Sequence, residues 1–123
     1  MRYFNYKEFD QPGLPGSGEE HMKKSFLSAL DELRSYAAFP FIINSGYRSL
    51  ERNLQIGGAP KSYHVRGRAA DIRVDYGWQV YAIMKFAPRC GLHGIGISFP
   101  KNGKPGFVHV DDRDAIKQTV WGY

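Results

Sequence analysis

The chain has 123 residues, 42% hydrophobic and 15% aromatic, which suits one folded domain with a modest core and excludes a disordered chain. Its net charge is +5 and its pI near 9.4. The basic residues are nevertheless scattered, with no run longer than Lys23-Lys24 and no basic helix face, so nucleic acid is not expected as a partner.

Residues 1–18 read as an aromatic, then Gly/Pro-rich arm that Phe4 and Phe9 fasten to the body. No apolar secretory segment opens the chain and no run approaches a membrane span, so the expected product is made in the cytoplasm and does not insert into a membrane. Ser17-Gly18-Glu19-Glu20 has capping-box spacing, and Met22, Phe26, Ala29, Leu30, Leu33 and Ala37 recur at helical intervals, predicting a helix over about 19–37 that Pro40 ends. Phe41-Ile42-Ile43-Asn44 predicts a short buried strand that delivers Ser45-Gly46-Tyr47-Arg48 at its end. Ser49 caps a helical segment to about Ile56, closed by Gly57-Gly58.

A strand is predicted at about 70–74, then a helix over about 76–88 that buries Val80, Ile83, Met84 and Ala87. The lone cysteine, Cys90, excludes an internal disulfide framework and reads as a small buried hydrophobe at a helix end. Gly91–Ser98 reads as a turn and glycine-rich strand, Pro100–Gly106 as a polar hairpin loop, and Phe107-Val108-His109-Val110-Asp111 as an alternating strand. A short C-terminal helix or turn is expected to carry Ala115, Ile116, Val120 and Trp121. The order gives an α+β fold, a small antiparallel sheet with flanking helices, as a single domain over 1–123.

The chemistry concentrates on Ser62-Tyr63-His64-Val65-Arg66-Gly67-Arg68-Ala69-Ala70-Asp71, where an imidazole and a carboxylate lie seven residues apart across a glycine and two alanines. His109 is a third candidate, on one strand face with Phe107 and Asp111. If the two strands are neighbours, His64, Asp71 and His109 make a two-imidazole, one-carboxylate zinc site with an open position. The same residues also fit a surface loop histidine and a hydrogen-bonded strand histidine.

Ser45-Gly46-Tyr47-Arg48-Ser49, Gly57-Gly58-Ala59, Ser62-x-His64-x-x-Gly67-x-Ala69-x-Asp71, Gly94-x-Gly96 and Phe107-Val108-His109-Val110-Asp111 resemble the D-Ala-D-Ala carboxypeptidase-like zinc metallopeptidases of the M15 type. That group also includes lysostaphin-type peptidases and the hedgehog signalling domain, and small phage and prophage peptidoglycan peptidases are the nearest in pattern. The likeness spans about residues 20–121, with its motifs in family order. It implies one Zn2+ on His64, Asp71 and His109, and a substrate-binding or oxyanion role for Arg48. Ser62, Tyr47 and Trp121 are further substrate-side candidates.

The sequence departs from the family at the catalytic base. Relatives place Glu or Asp three residues before the last ligand, or His two before it; Gly106 and Phe107 stand there instead. Asp111 is the first candidate for the base, with a role holding the imidazole of His109 as its rival. His93 is the other candidate, as an oxyanion donor or acid/base. The resemblance implies a monomeric peptidase cutting peptidoglycan stem peptides or cross-bridges, endolysin-like, reaching the wall after release or as part of a phage or prophage system. The alternative is a non-catalytic zinc-binding module for wall recognition or structure.

Overall fold

The computed structural model describes residues 1–123. Nine helices and strands are labelled in chain order: α1 (Ser17–His21), α2 (Lys24–Ala37), β1 (Ile43–Ser45), α3 (Leu50–Gln55), β2 (Ala69–Val74), α4 (Gly77–Phe86), β3 (Gly94–Ser98), β4 (Gly106–Asp111) and β5 (Thr119–Gly122). The five strands form one sheet in the order β1-β2-β4-β3-β5, antiparallel except where β5 runs parallel to β3. Helices and sheet together make an α+β fold.

One face of the sheet is apolar and packs on α2 and α4. Ile72, Val74, Val108, Val110, Ile95 and Ile97 meet Phe26, Leu30, Leu33, Val80 and Ile83 in a single core, with Phe9 of the arm included. Alternation then sends Asp71, His109 and Asp111 to the opposite face, clear of the helices. Ser49 caps α3 by accepting from the Arg52 N–H.

Five expectations are corrected. The helix over 19–37 is two helices, because Met22 and Lys23 are extended and the Lys23 N–H donates to the Gly67 carbonyl; the Ser17 capping box does not form. Helix α2 ends where Ala38 turns left-handed at φ 61, before Pro40. β1 is an edge strand rather than a buried one, and leaves Ile42 exposed. Met84 lies on the exposed side of α4. The tail after the turn Ala115–Lys117 is the strand β5 and not a helix; its Val120 and Trp121 suit a pleated surface.

Candidate metal centre

β2 and β4 pair with Asp71 directly opposite His109. β3 sets Gly96 beside His109, and β5 sets Trp121 beside Gly96, so these four residues form one row across the sheet. A Cβ on Gly96 would meet the Trp121 indole; its absence lets the indole lie 5.2 Å from the His109 ring.

His64 arrives from the loop that precedes β2. Gly67 turns that loop at φ 70, and a side chain there would collide with the His21 carbonyl, so this position requires glycine on two counts. The Ser62 hydroxyl accepts from the His64 N–H at 3.2 Å. The Gly46 carbonyl accepts from His64 Nδ1 at 2.8 Å, which leaves Nε2 as the ring's lone-pair atom. His109 is arranged in the reverse sense. Its Nε2 donates to Asp111 Oδ2 at 2.7 Å, and Nδ1 is the free lone pair.

These two lone pairs meet Asp71 Oδ1. The three edges are 3.2 Å from His64 Nε2 to Asp71 Oδ1, 3.1 Å from His109 Nδ1 to Asp71 Oδ1, and 3.2 Å between the nitrogens. Tetrahedral ligands at zinc distances lie about 3.3 Å apart. Three electron-rich atoms at this spacing repel unless a cation or proton sits among them. The residues therefore fit a zinc ion both in donor chemistry and in spacing, and they are the chain's one such cluster.

The charges around the cluster follow from these contacts. Burial resists ionisation of Asp71, but hydrogen bonds to His109 and His64 outweigh it and hold the carboxyl well below its ordinary range. Burial likewise opposes the charged form of His109, yet Asp111 and Asp71 raise its pKa above the ordinary value.

Asp111 is fully buried, and both of its oxygens are occupied. Arg113 Nε donates to Oδ1 and Nη2 to Oδ2, each at 2.8 Å, while His109 shares Oδ2. Burial resists this carboxylate too, and Arg113 with His109 overcomes that resistance. An anion so held has no free lone pair facing the three atoms. A side chain at Gly94 would strike the Asp111–Arg113 pair.

The cluster lies in a cleft of ≈ 520 Å³ whose rim includes Arg48, Lys61, Ser62, Trp121 and Tyr123. Arg48 is half-buried, its guanidinium makes no ion pair, and its Nε is shut from water without an acceptor. Burial lowers its pKa. Two expected residues are not brought there. Tyr47 stacks on His21 at 4.3 Å and packs against the core. His93 precedes β3 by one residue, out of step with Gly94 and Gly96, and is absent from the cleft wall. Arg113, Lys61 and Tyr123 were not foreseen. Arg113 lies one strand period beyond Asp111, and Tyr123 two residues beyond Trp121, just past the end of β5.

The family model described as Peptidase M15 matches residues 3–111. The peptidoglycan L,D-endopeptidase MepK of Escherichia coli, and the protein of the same name from Shigella flexneri, are each 35% identical over 77 residues, covering 58% of this chain and 40% of theirs. The aligned part of the chain thus spans 40% of the length of these curated relatives.

Proposed function

The chain belongs to the peptidase M15 family, and on that premise we propose that it is a zinc peptidase hydrolysing a peptide bond in peptidoglycan stem peptides or cross-bridges. The observation that carries the reading is the triangle of His64 Nε2, Asp71 Oδ1 and His109 Nδ1, with edges of 3.1–3.2 Å, facing an open cleft. These three residues would hold one zinc ion, which when bound supplies a Lewis acid that polarises a carbonyl and brings the pKa of water to about 7.

The chain's own residues do the rest. Asp111 is a positioning residue: it fixes the tautomer and tilt of His109, and Arg113 keeps it ionised. Arg48 offers unpaired N–H groups to negative charge on the substrate. Ser62 steadies the backbone of His64, while Phe107 and Trp121 give the cleft an apolar wall that sheds water. The net charge of +5 suits an anionic wall. An endopeptidase follows the activity that the relatives are named for; a D-Ala carboxypeptidase is the alternative cut.

A second reading, a zinc-binding wall module without turnover, is favoured by one observation. The acidic residues lining the cleft are Asp71 and Asp111 alone, and both are engaged. Purified peptidoglycan digested with the protein, with chelator, and with zinc restored separates the two. Zinc-restored fragments support the peptidase, and their masses name the bond. A folded, zinc-loaded protein that releases nothing from a panel of walls supports the module.

A further inference from the structure

The face of the sheet that carries the metal ligands does not end at the cleft. Two residues along β2 from Asp71, about 7 Å, the same alternation brings out Arg73, directly opposite Phe107 of the cleft wall. Arg73 opens a second concavity of ≈ 670 Å³, lined also by Asp75 and Tyr76 and by the loop residues Lys101, Gly103 and Lys104. Its charges are three cations against one carboxylate. Arg73 and Asp75 pair at 3.0 Å, which leaves Lys101 and Lys104 uncancelled.

The two lysines are held together by the backbone. Lys101 and Lys104 exchange both N–H···O bonds, at 3.1 and 2.9 Å, across the Asn102-Gly103 turn. Asn102 at φ 53 and Gly103 at φ 72 supply the two positive φ values that this two-residue hairpin requires. Residues so paired project to one face, and like charges directly opposite destabilise a hairpin. An anion seated between them relieves that repulsion. Beside it, Tyr76 and Trp78 are 61% and 56% exposed, with rings 6.4 Å apart and 9° from parallel. Neither ring is loose. The Asp75 and Tyr76 N–H groups donate to Gln79 Oε1, and Phe39 meets Trp78 edge to face at 5.3 Å. Flat apolar faces held open to water beside fixed cations suit a ligand that has both apolar ring faces and negative charge.

We propose that the Lys101–Lys104 hairpin and the Tyr76–Trp78 pair form a docking surface for the sugar chain of the wall polymer, at sugars whose carboxylates are free. The C–H faces of the sugar rings would lie on the two aromatic rings, and the carboxylates would sit between the lysines. The choice of polymer rests on the peptidase reading, and the surface adds a partner that the metal cleft does not hold. Charge complementarity and the step of about 7 Å from Asp71 to Arg73 favour this occupant, since a strand held here brings its peptides to the cleft. A single-stranded nucleic acid also combines rings with negative charge. It needs a basic track along its backbone, and two uncancelled lysines in one concavity do not make one.

Calorimetric titration of the zinc-loaded protein with three soluble probes tests this. The probes are wall glycan strands freed of peptide, the same strands with their carboxylates amidated, and a single-stranded oligonucleotide of matching length. The unmodified strands are expected to bind, and amidation to weaken binding about fivefold or more. Lys101→Gln combined with Lys104→Gln should impose the same loss, and Tyr76→Ala should weaken both forms of strand. The lysine variant should melt no lower than wild type, because it removes a like-charge pair, so its loss of binding is not a loss of fold. Strands that do not bind, amidated strands that bind as well, full affinity in the lysine variant, or tighter binding of the oligonucleotide overturns the surface. Each titration is independent of cleavage. Protein that binds the strands but cuts no peptide keeps the surface and loses the peptidase reading. Protein that cuts without binding them loses the surface alone.

Discussion

The imidazole of His109 donates to Asp111 at 2.7 Å, and that single bond determines which ring nitrogen faces Asp71 and His64. Replacing Asp111 by Ala removes the acceptor, frees the tautomer and leaves Arg113 unpaired. Zinc affinity is expected to fall about 10- to 100-fold, with Asp111→Asn milder because its amide oxygen still accepts. Competition against a chelating dye measures this. A base at this position would behave differently: Asp111→Asn would keep wild-type zinc affinity while abolishing turnover.

Metal-free protein should show a bell of stability against pH. His109 has a raised folded pKa, so its contribution is complete below its ordinary 6.5 and is lost as pH rises through the raised value. Asp71 and Asp111 are depressed, so theirs is complete above the ordinary 3.8 and is lost as pH falls. Tm of chelator-treated protein should therefore peak between these two values. Zinc should flatten the alkaline side, because the ion replaces the proton among the three atoms. A metal-free Tm that stays level from pH 6 to 9 would contradict the shared-proton account of the cluster.

Gly106 stands where the family resemblance leads one to expect a carboxylate, and here a Cβ would run into the Ser98 carbonyl and the Phe99–Pro100 backbone. Gly106→Glu should lower stability by about 1–3 kcal/mol through overpacking and yield no gain in cleavage. Chemical denaturation of the variant checks the first part, and peptidoglycan digestion the second.

Cys90 is buried at the end of the turn that follows α4, and burial together with nearby Glu32 pushes its thiol up to about 11. It should resist thiol reagents at neutral pH until the protein unfolds, so labelling rate reports global opening. Rapid labelling of the native chain would show that the Pro88–Cys90 turn opens locally.

The alternating strands and their zinc-type residues were legible because period and spacing are local. Asp71 opposite His109 needed only that β2 and β4 be neighbours. The break at Met22 and Lys23 was not legible, since its cause is the carbonyl of Gly67, more than forty residues away. The tail failed for a related reason. Ala115 to Trp121 carries too few apolar positions to separate helix from strand, and the exposed edge of β3 decides in favour of strand. The engagement of Asp111 depends on Arg113 folding back over Gly94, a clearance that only the assembled sheet reveals.

The arm before α1 reaches the site through three contacts. Phe9 O accepts from the Tyr47 N–H at 2.9 Å, the Gln11 side chain accepts from the Ser49 N–H at 2.8 Å, and Gly46 abuts Phe9 so closely that any side chain would clash. Gly46 in turn supplies the carbonyl that orients His64. The arm thus braces the imidazole of His64 indirectly, through Gly46. A protease nick between Asp10 and Gly16, which leaves His64, Asp71 and His109 in place, should be felt first as faster release of zinc from zinc-loaded protein.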